Sequence, residues 1–234
     1  MRTKIFKESA SKLGKTAIIA VAAMFIASGL NSGTYSGAEQ RAVDENLLSV
    51  EIEMVFVQGN GTINDFNIGK FEVTQGQWRA VMGRNPSANQ SGDNYPVEQV
   101  NWNEARDFIT RLNALTGKNY RLPTQREWEY AARGGNKSQN FAFSGSNNVN
   151  DVAWYNDNSN RRTNPVGSKQ PNELGIHDMS GNVWEWCEDS SAGSMRAIRG
   201  GGWETPALGC DPKEENFNTM LENNPAIGFR LAHP

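Results

Sequence analysis

The sequence predicts a single α+β domain over residues 53–234, in which short strands and a few helices are joined by long loops. Three observations lead to this class. Two short strand-like stretches open the domain, amphipathic helical patterns follow them, and the region after Gly135 is rich in Asn, Ser and Gly as far as Asn164. Such a composition is typical of turns and surface loops. The chain shows no internal repeat, so one domain is expected.

The first element is a hairpin. A stretch from Glu53 to Val57 and a second from Phe66 to Val73 flank a turn that contains Gly59, Asn60 and Gly61. Alternating apolar residues on both sides of a glycine-containing turn are typical of two antiparallel strands.

Three helices are expected after the hairpin. The first is predicted from Thr74, its N-cap, to Met82, and ends at Gly83. The second is predicted over residues 103–116, followed by Gly117 as its cap. Its apolar residues follow the i, i+3, i+4, i+7 spacing of an amphipathic helix: Ala105, Phe108, Ile109, Leu112 and Leu115.

The third helix begins with a capping box. Thr124 and Glu127 are three residues apart, so each side chain can bond to the backbone amide of the other residue. Glu127 is therefore expected to be structural. Gly134 and Gly135 are expected to end this helix.

A run from Gly181 to Trp186 has the strongest chemical signal. In a strand, Trp184 and Trp186 lie on one face and Val183 and Glu185 on the other. The carbonyl groups of Gly181 and Val183 can then point to the side of the Glu185 carboxylate.

Asp178 precedes this run and adds a second carboxylate. Oxygen-only ligation by Asp178, Gly181, Val183 and Glu185 suits calcium. The alternative is a buried aromatic strand with a solvated acid. Histidines are too few for a histidine-based metal centre, because the whole chain contains 2.

The amino terminus predicts export. Basic residues precede an apolar run from Thr16 to Leu30, and small residues Ser36 and Ala38 fit cleavage before Glu39. Residues 1–38 are thus expected to be a signal peptide and residues 39–52 a short N-terminal segment. The apolar run is too short for a comfortable membrane span, although an uncleaved anchor is the alternative.

Charge limits the possible partners. The signal segment holds five of the 23 basic residues and one of the 26 acidic ones, so the mature chain has a net charge of about −7. An acidic chain without a basic run argues against nucleic acid or anionic lipid as a partner. A negative net charge favours divalent cations as ligands.

Four ordered sequence blocks resemble the formylglycine-generating enzyme family, the sulfatase-modifying factors. The resemblance covers roughly Met54 to Ala232 and implies a C-type-lectin-like fold, with little regular secondary structure and with calcium. The blocks are Arg121-Leu122-Pro123-Thr124 with Glu127-Trp128-Glu129-Tyr130-Ala131-Ala132-Arg133-Gly134, Gly181-Asn182-Val183-Trp184-Glu185-Trp186, Arg199-Gly200-Gly201-Gly202-Trp203, and Gly228-Phe229-Arg230-Leu231.

The resemblance also implies a chemistry that this chain departs from. Oxidase members convert a sulfatase cysteine to formylglycine with molecular oxygen and a copper ion held by two cysteines. The matching positions here are Thr205 and Cys210, and Gly202 stands where the oxidases usually have serine. One sulfur and one hydroxyl cannot hold soft copper as two sulfurs do. Loss of the oxidase reaction is therefore expected, with no catalytic residue.

The function predicted from these observations is an exported, non-catalytic binding or structural component, periplasmic, at the cell surface or secreted. Its partner is an unknown protein or envelope component, and no integral membrane span is expected after cleavage. Calcium is the expected structural cofactor. The alternative is a copper-dependent oxidase that generates formylglycine through Cys210. A carbohydrate-binding module is suggested by fold analogy alone.

Two smaller expectations follow from the resemblance. Cys187 and Cys210, the 2 cysteines of the chain, are expected to pair in an oxidising compartment, and the alternative is two buried cysteines that never meet. Asp151 and Asp157 in the loop-rich region permit a second calcium site.

Overall fold

A computed structural model describes residues 50–234, so the predicted signal peptide and nearly all of the segment 39–52 lie outside the described residues. The strands are β1 (Met54–Val57), β2 (Phe66–Gly69), β3 (Trp184–Ser190), β4 (Met195–Arg199), β5 (Asn216–Thr219), β6 (Ile227–Gly228) and β7 (Ala232–His233). The α-helices are α1 (Gln75–Met82), α2 (Trp102–Thr116), α3 (Gln125–Ala132) and α4 (Val149–Val152), and short 3₁₀ helices span Gly135–Lys137 and Ala207–Cys210.

The predicted hairpin forms the first sheet, in which β1 and β2 are antiparallel and β7 adds a third strand beside β2. The strand β2 ends at Gly69, earlier than Val73. Beyond Gly69 the backbone forms hydrogen bonds with other segments of the chain. Lys70 O accepts from His177 N, and Val73 N donates to Phe229 O.

The helix boundaries follow the predicted caps closely. Thr74 caps α1, and Gly83 ends it in the left-handed conformation with φ of 75°. The helix α2 starts at Trp102, one residue early, because Asn101 forms a capping box with Glu104.

The third predicted helix is confirmed with its capping box of Thr124 and Glu127. Glu127 also accepts two hydrogen bonds from Arg121, at 2.7 and 2.6 Å. Its structural role is therefore confirmed.

The second sheet has the order β5-β4-β3-β6, and β3 and β6 are parallel. The strand β3 lies between two hydrophobic clusters. Trp184 and Trp186 pack in the cluster that contains Trp78 and Phe108. Cys187, on the opposite face, packs in the cluster that contains Trp128 of α3. The predicted alternation of β3 side chains is confirmed.

The start of this strand differs from the prediction. Gly181 and Asn182 have φ of 83° and 65°, values that a strand does not accommodate, so β3 begins at Trp184. Both faces of β3 are covered near its start. Over residues 50–234, none of the helices combines the length and the apolar character that crossing a membrane requires.

Candidate functional site

The candidate site is centred on the carboxylate of Glu185, the second residue of β3. This residue has no exposed surface. Its Oε1 and Oε2 accept hydrogen bonds from Nη2 and Nε of Arg230, both at 2.6 Å, and Oε2 accepts a third from Trp128 Nε1 at 2.7 Å. The interpretation of Glu185 as a solvated acid is therefore wrong.

Arg230 connects this carboxylate to two other segments. Its guanidinium also donates to the carbonyl oxygens of Gly69 and His177, both at 2.9 Å. Burial disfavours the charged form, but nearby carboxylates, above all Glu185, outweigh burial and raise the pKa of Arg230. The guanidinium is a permanent positive charge in the interior.

Two more buried carboxylates lie near this pair. Asp178 Oδ2 accepts from the backbone amide of Gly167 at 2.6 Å, and Glu72 accepts from Asn182 Nδ2 at 2.7 Å. Burial raises the pKa of Asp178 to about 6, and it raises the pKa of Glu72 well above its usual range, with repulsion from Asp178 adding to the effect. The cluster therefore has more acidic groups than its one guanidinium can balance.

The predicted calcium ligands differ in how far other groups already occupy their oxygen atoms. Among the described residues, no donor bonds to the carbonyl oxygens of Gly181 or Val183, and Asp178 engages only Oδ2. Glu185 differs, because Arg230 and Trp128 already bond to both of its oxygens. Carbonyl and carboxylate oxygens are the ligands that calcium takes. The calcium site remains a prediction in which Glu185 is shared with Arg230.

The carboxylates around Asp178 and Glu185 do not by themselves form a metal-binding cluster. Within residues 50–234, no group of three or more His, Cys, Asp or Glu side chains is arranged to hold a metal ion. Asp151, considered for a second calcium site, accepts hydrogen bonds from Ser146 and Asn148 of its own loop.

The position of the oxidase copper site is closed by local contacts. Thr205 Oγ1 accepts from the backbone amide of Gly202 at 2.9 Å, and Thr205 N donates to Gly202 O at 3.0 Å, so the hydroxyl stabilises a tight turn. A Cβ at Gly202 would lie 2.9 Å from Glu204 Oε2 and 3.1 Å from Trp184 Cδ1. The usual serine would be crowded there.

Cys210 is equally unsuited to bind copper. It is buried against Ala153 and Tyr155, and a Cβ at Gly201 would lie 2.9 Å from its Sγ. Burial, with the charge of Glu204 as a smaller cause, raises the pKa of the Cys210 thiol to about 12. The thiolate that a metal requires is therefore scarce at neutral pH. With Thr205 as its partner, this pair does not fit a copper ion.

The expected disulfide is wrong. Cys187 and Cys210 are both free and buried. They lie in different clusters, because Cys187 points from β3 towards Trp128, whereas Cys210 ends a 3₁₀ helix that packs against Ala153 and Tyr155.

Sequence reasoning missed Glu72 and Arg230 as members of the charged cluster. A signal existed for each of them. Glu72 is a lone charge between the apolar Phe71 and Val73, and Arg230 stands between Phe229 and Leu231. A charge within such a stretch, once buried, requires a charged or hydrogen-bonding partner, but the sequence does not identify which residue provides it.

Comparison with known proteins assigns the chain to a family. The family described as sulfatase-modifying factor enzyme 1-like domain matches residues 30–234. Chaperone protein LppX of Paenibacillus barcinonensis is 37% identical over 237 residues, which covers 75% of this chain and 84% of that protein.

Two further relatives match over a smaller share of their own length. The inactive C-alpha-formylglycine-generating enzyme 2 of Bos taurus is 32% identical over 68% of this chain and 57% of that protein. The formylglycine-generating enzyme of Streptomyces coelicolor is 31% identical over 60% of this chain and 53% of that protein. The chain spans a little over half the length of these two relatives.

Solved structures agree with this placement. Treponema denticola variable protein 1 is similar with a TM-score of 0.69 and 28% identity, covering 79% of this chain and 92% of that one. CarF is similar with a TM-score of 0.71 and 26% identity, covering 79% of this chain and 99% of that one.

Proposed function

The chain belongs to the formylglycine-generating enzyme family, the sulfatase-modifying factors, and we propose that within it the chain is an exported, non-catalytic protein that binds another protein of the cell envelope or surface. The fold we assign is the C-type-lectin-like variant of that family. The observation that carries the proposal is the turn at Thr205, whose hydroxyl is bonded to Gly202 where the oxidases have a copper-binding cysteine.

Two relatives support a non-catalytic role in protein binding. One is named an inactive formylglycine-generating enzyme and another is named a chaperone. Neither name attributes oxidase activity to its protein. A chaperone acts on other proteins, so a protein partner is the class of ligand that we infer here.

The absence of oxidase activity is tested with a peptide that carries the sulfatase motif. The purified protein is incubated with Cu(I) and the peptide, and mass spectrometry measures conversion of the peptide cysteine to the aldehyde. We expect no conversion above a control without protein. Conversion by the wild-type protein would contradict the proposal and support the copper-dependent oxidase that acts through Cys210.

Two substitutions show whether Thr205 is the cause. Thr205→Cys supplies a second thiol beside Cys210, whereas Thr205→Ser keeps the hydroxyl that bonds to Gly202. A competition titration with a colorimetric Cu(I) chelator should show tighter copper binding by Thr205→Cys alone. Equal binding by the two variants would mean that burial of Cys210, rather than Thr205, prevents copper binding.

We propose calcium as the structural cofactor of the site formed by Asp178, Gly181, Val183 and Glu185. The support is the carbonyl oxygens of Gly181 and Val183, which no donor engages, and the excess of buried acidic groups beside them. Calcium at a hundred times its Kd would add about 2.7 kcal/mol to the free energy of unfolding.

Thermal melting in calcium and in EDTA measures this effect. We expect the melting temperature to rise with calcium for the wild-type protein and for Asp107→Asn, an exposed carboxylate control on α2, but not for Asp178→Asn. A wild-type melting temperature that is the same in calcium and in EDTA would rule out the site.

Export is the remaining part of the proposal, and it rests on residues 1–38. Mass spectrometry of the protein recovered from its native host should find Glu39 as the first residue. An intact amino terminus would instead favour the uncleaved anchor.

The protein partner can be identified by crosslinking in the native host. Each crosslinked protein is then purified separately and tested for direct binding to this chain. If none of the purified candidates binds, the binding role is contradicted.

A further inference from the structure

An open groove lies on the outer side of α3, away from the buried charged cluster. Its volume is about 500 Å³. One wall is the loop between β1 and β2, with Asn60, Thr62 and Ile63, and another wall is the turn that follows α3. The helix supplies residues 126, 129 and 130 and its C-cap supplies Arg133, and all four lie towards one face because they are spaced i, i+3, i+4 and i+7.

The acid that lines this groove is already neutralised. Glu129 Oε1 accepts from Arg133 Nη1 at 3.3 Å, and Glu129 Oε2 accepts from Nη2 of the fully buried Arg199 at 2.9 Å. Two guanidinium groups thus share a single carboxylate. This part of the groove has no acceptor left for a cationic ligand.

The lining retains hydrogen-bond donors. Arg126 is exposed and forms no hydrogen bond or ion pair with any residue of the described chain. Arg133 uses only Nη1, so the rest of its guanidinium also remains available. These two arginines are seven residues apart on α3, which separates their Cα atoms by about 10 Å along the helix axis.

An apolar surface lies in the same groove. Ile63 contributes an aliphatic side chain and Tyr130 an aromatic ring, whose hydroxyl is directed outwards to bond Gln58 O at 3.1 Å. A groove with cationic groups at both ends of a helix face and apolar atoms beside them matches a chain that carries carboxylates on an extended backbone.

We propose that this groove binds an acidic segment of the partner protein through Arg126 and Arg133. This inference rests on the proposed protein-binding function and locates it in a groove whose lining contains neither Thr205 nor Cys210. Nonspecific attraction would not explain such binding, because the chain without residues 1–38 has a net charge of about −7 and repels a polyanion elsewhere.

The test uses fluorescein-labelled hexaglutamate as the probe and fluorescence anisotropy as the measurement. We expect the wild-type protein to bind hexaglutamate but not hexaglutamine, and binding to weaken as salt increases. Arg126→Gln should weaken it about tenfold, while Arg111→Gln, an exposed arginine on α2 outside the groove, should leave it unchanged.

Three results would overturn the proposal. The first is failure of hexaglutamate to bind at millimolar concentration, and the second is equal weakening of binding by Arg126→Gln and Arg111→Gln. The third is displacement of the peptide by free citrate at equal concentration. The last result would assign the groove to a small carboxylate rather than to a protein segment.

The outcomes also separate this proposal from the proposed function. Formylglycine production would contradict the non-catalytic role without changing hexaglutamate binding. Failure of hexaglutamate to bind would remove the groove as the docking site and leave the absence of oxidase activity untouched.

Discussion

Replacing Arg230 with methionine removes the guanidinium from the buried cluster and keeps a side chain of similar length. The substitution deletes two hydrogen bonds of 2.6 Å to Glu185 and two of 2.9 Å to carbonyl oxygens. It leaves Glu185 with Trp128 as its remaining donor. The carboxylates of Glu72 and Asp178 also lose the positive charge that favours their ionised forms.

The expected cost follows from complete burial of the pair, because neither side chain has exposed surface. Removing one partner of a buried ion pair costs about 3–5 kcal/mol, since the other charge is left without compensation. For a domain of this size, such a loss lowers the melting temperature by roughly 6–20 °C. A loss of about 3–5 kcal/mol is a large share of the free energy of unfolding of a folded domain, which is about 5–15 kcal/mol.

Arg121→Met is the matched control. Arg121 also forms two hydrogen bonds with one carboxylate, from Nη1 and Nη2 to Glu127 at 2.7 and 2.6 Å, but the side chains are 35% and 14% exposed. Solvent screens this pair, so we expect a loss of about 1 kcal/mol. The two variants therefore compare two bidentate ion pairs at two degrees of burial.

Urea unfolding at fixed calcium concentration gives the free energies. The double variant Arg230→Met with Glu185→Gln should be less destabilised than the sum of the single variants, because the stranded charge is gone. Equal losses for Arg230→Met and Arg121→Met, or a loss below about 1 kcal/mol for Arg230→Met, would refute the reasoning from burial.

Three further predictions concern other sites. Gly181→Ala should destabilise far more than Gly175→Ala in urea unfolding, because both have φ of 83° but only at Gly181 would a Cβ lie 2.3 Å from a backbone oxygen; equal losses would contradict this. Burial raises the pKa of Glu98, so stability should fall as pH rises above the usual glutamate pKa, and an unchanged pH profile in Glu98→Gln would be contrary evidence. Thiol titration should find Cys187 and Cys210 both free, but unreactive until the chain is denatured.

Local signals in the sequence were sufficient for the helices. Thr74 and Gly83 mark the ends of α1, and the capping box of Thr124 and Glu127 marks the start of α3. These signals depend on hydrogen bonds between residues three or four positions apart, so they can be recognised without knowing the long-range contacts of the chain. The helix α2 begins one residue before its predicted start because Asn101 is its N-cap.

Longer-range features could be predicted only in part. The alternation of Trp184 and Trp186 against Cys187 follows from strand geometry, and it is present in the structure. Burial of Glu185 could not be predicted, because its partner Arg230 lies 45 residues away in sequence. The failed pairing of Cys187 with Cys210 has the same origin, since it depends on which cluster each thiol enters.

The position of β7 has a consequence for how the chain is made. Residues Ala232 and His233 complete the sheet that begins at β1, Ala232 bridges to Arg121, and Arg230 bonds to Gly69. A ribosome delivers these residues after every segment that they contact. The nascent chain therefore cannot close its first sheet or compensate its buried carboxylates before residues 230–233 have been synthesised, and folding by such distant contacts is slow. The topology itself delays folding until residues 230–233 have emerged.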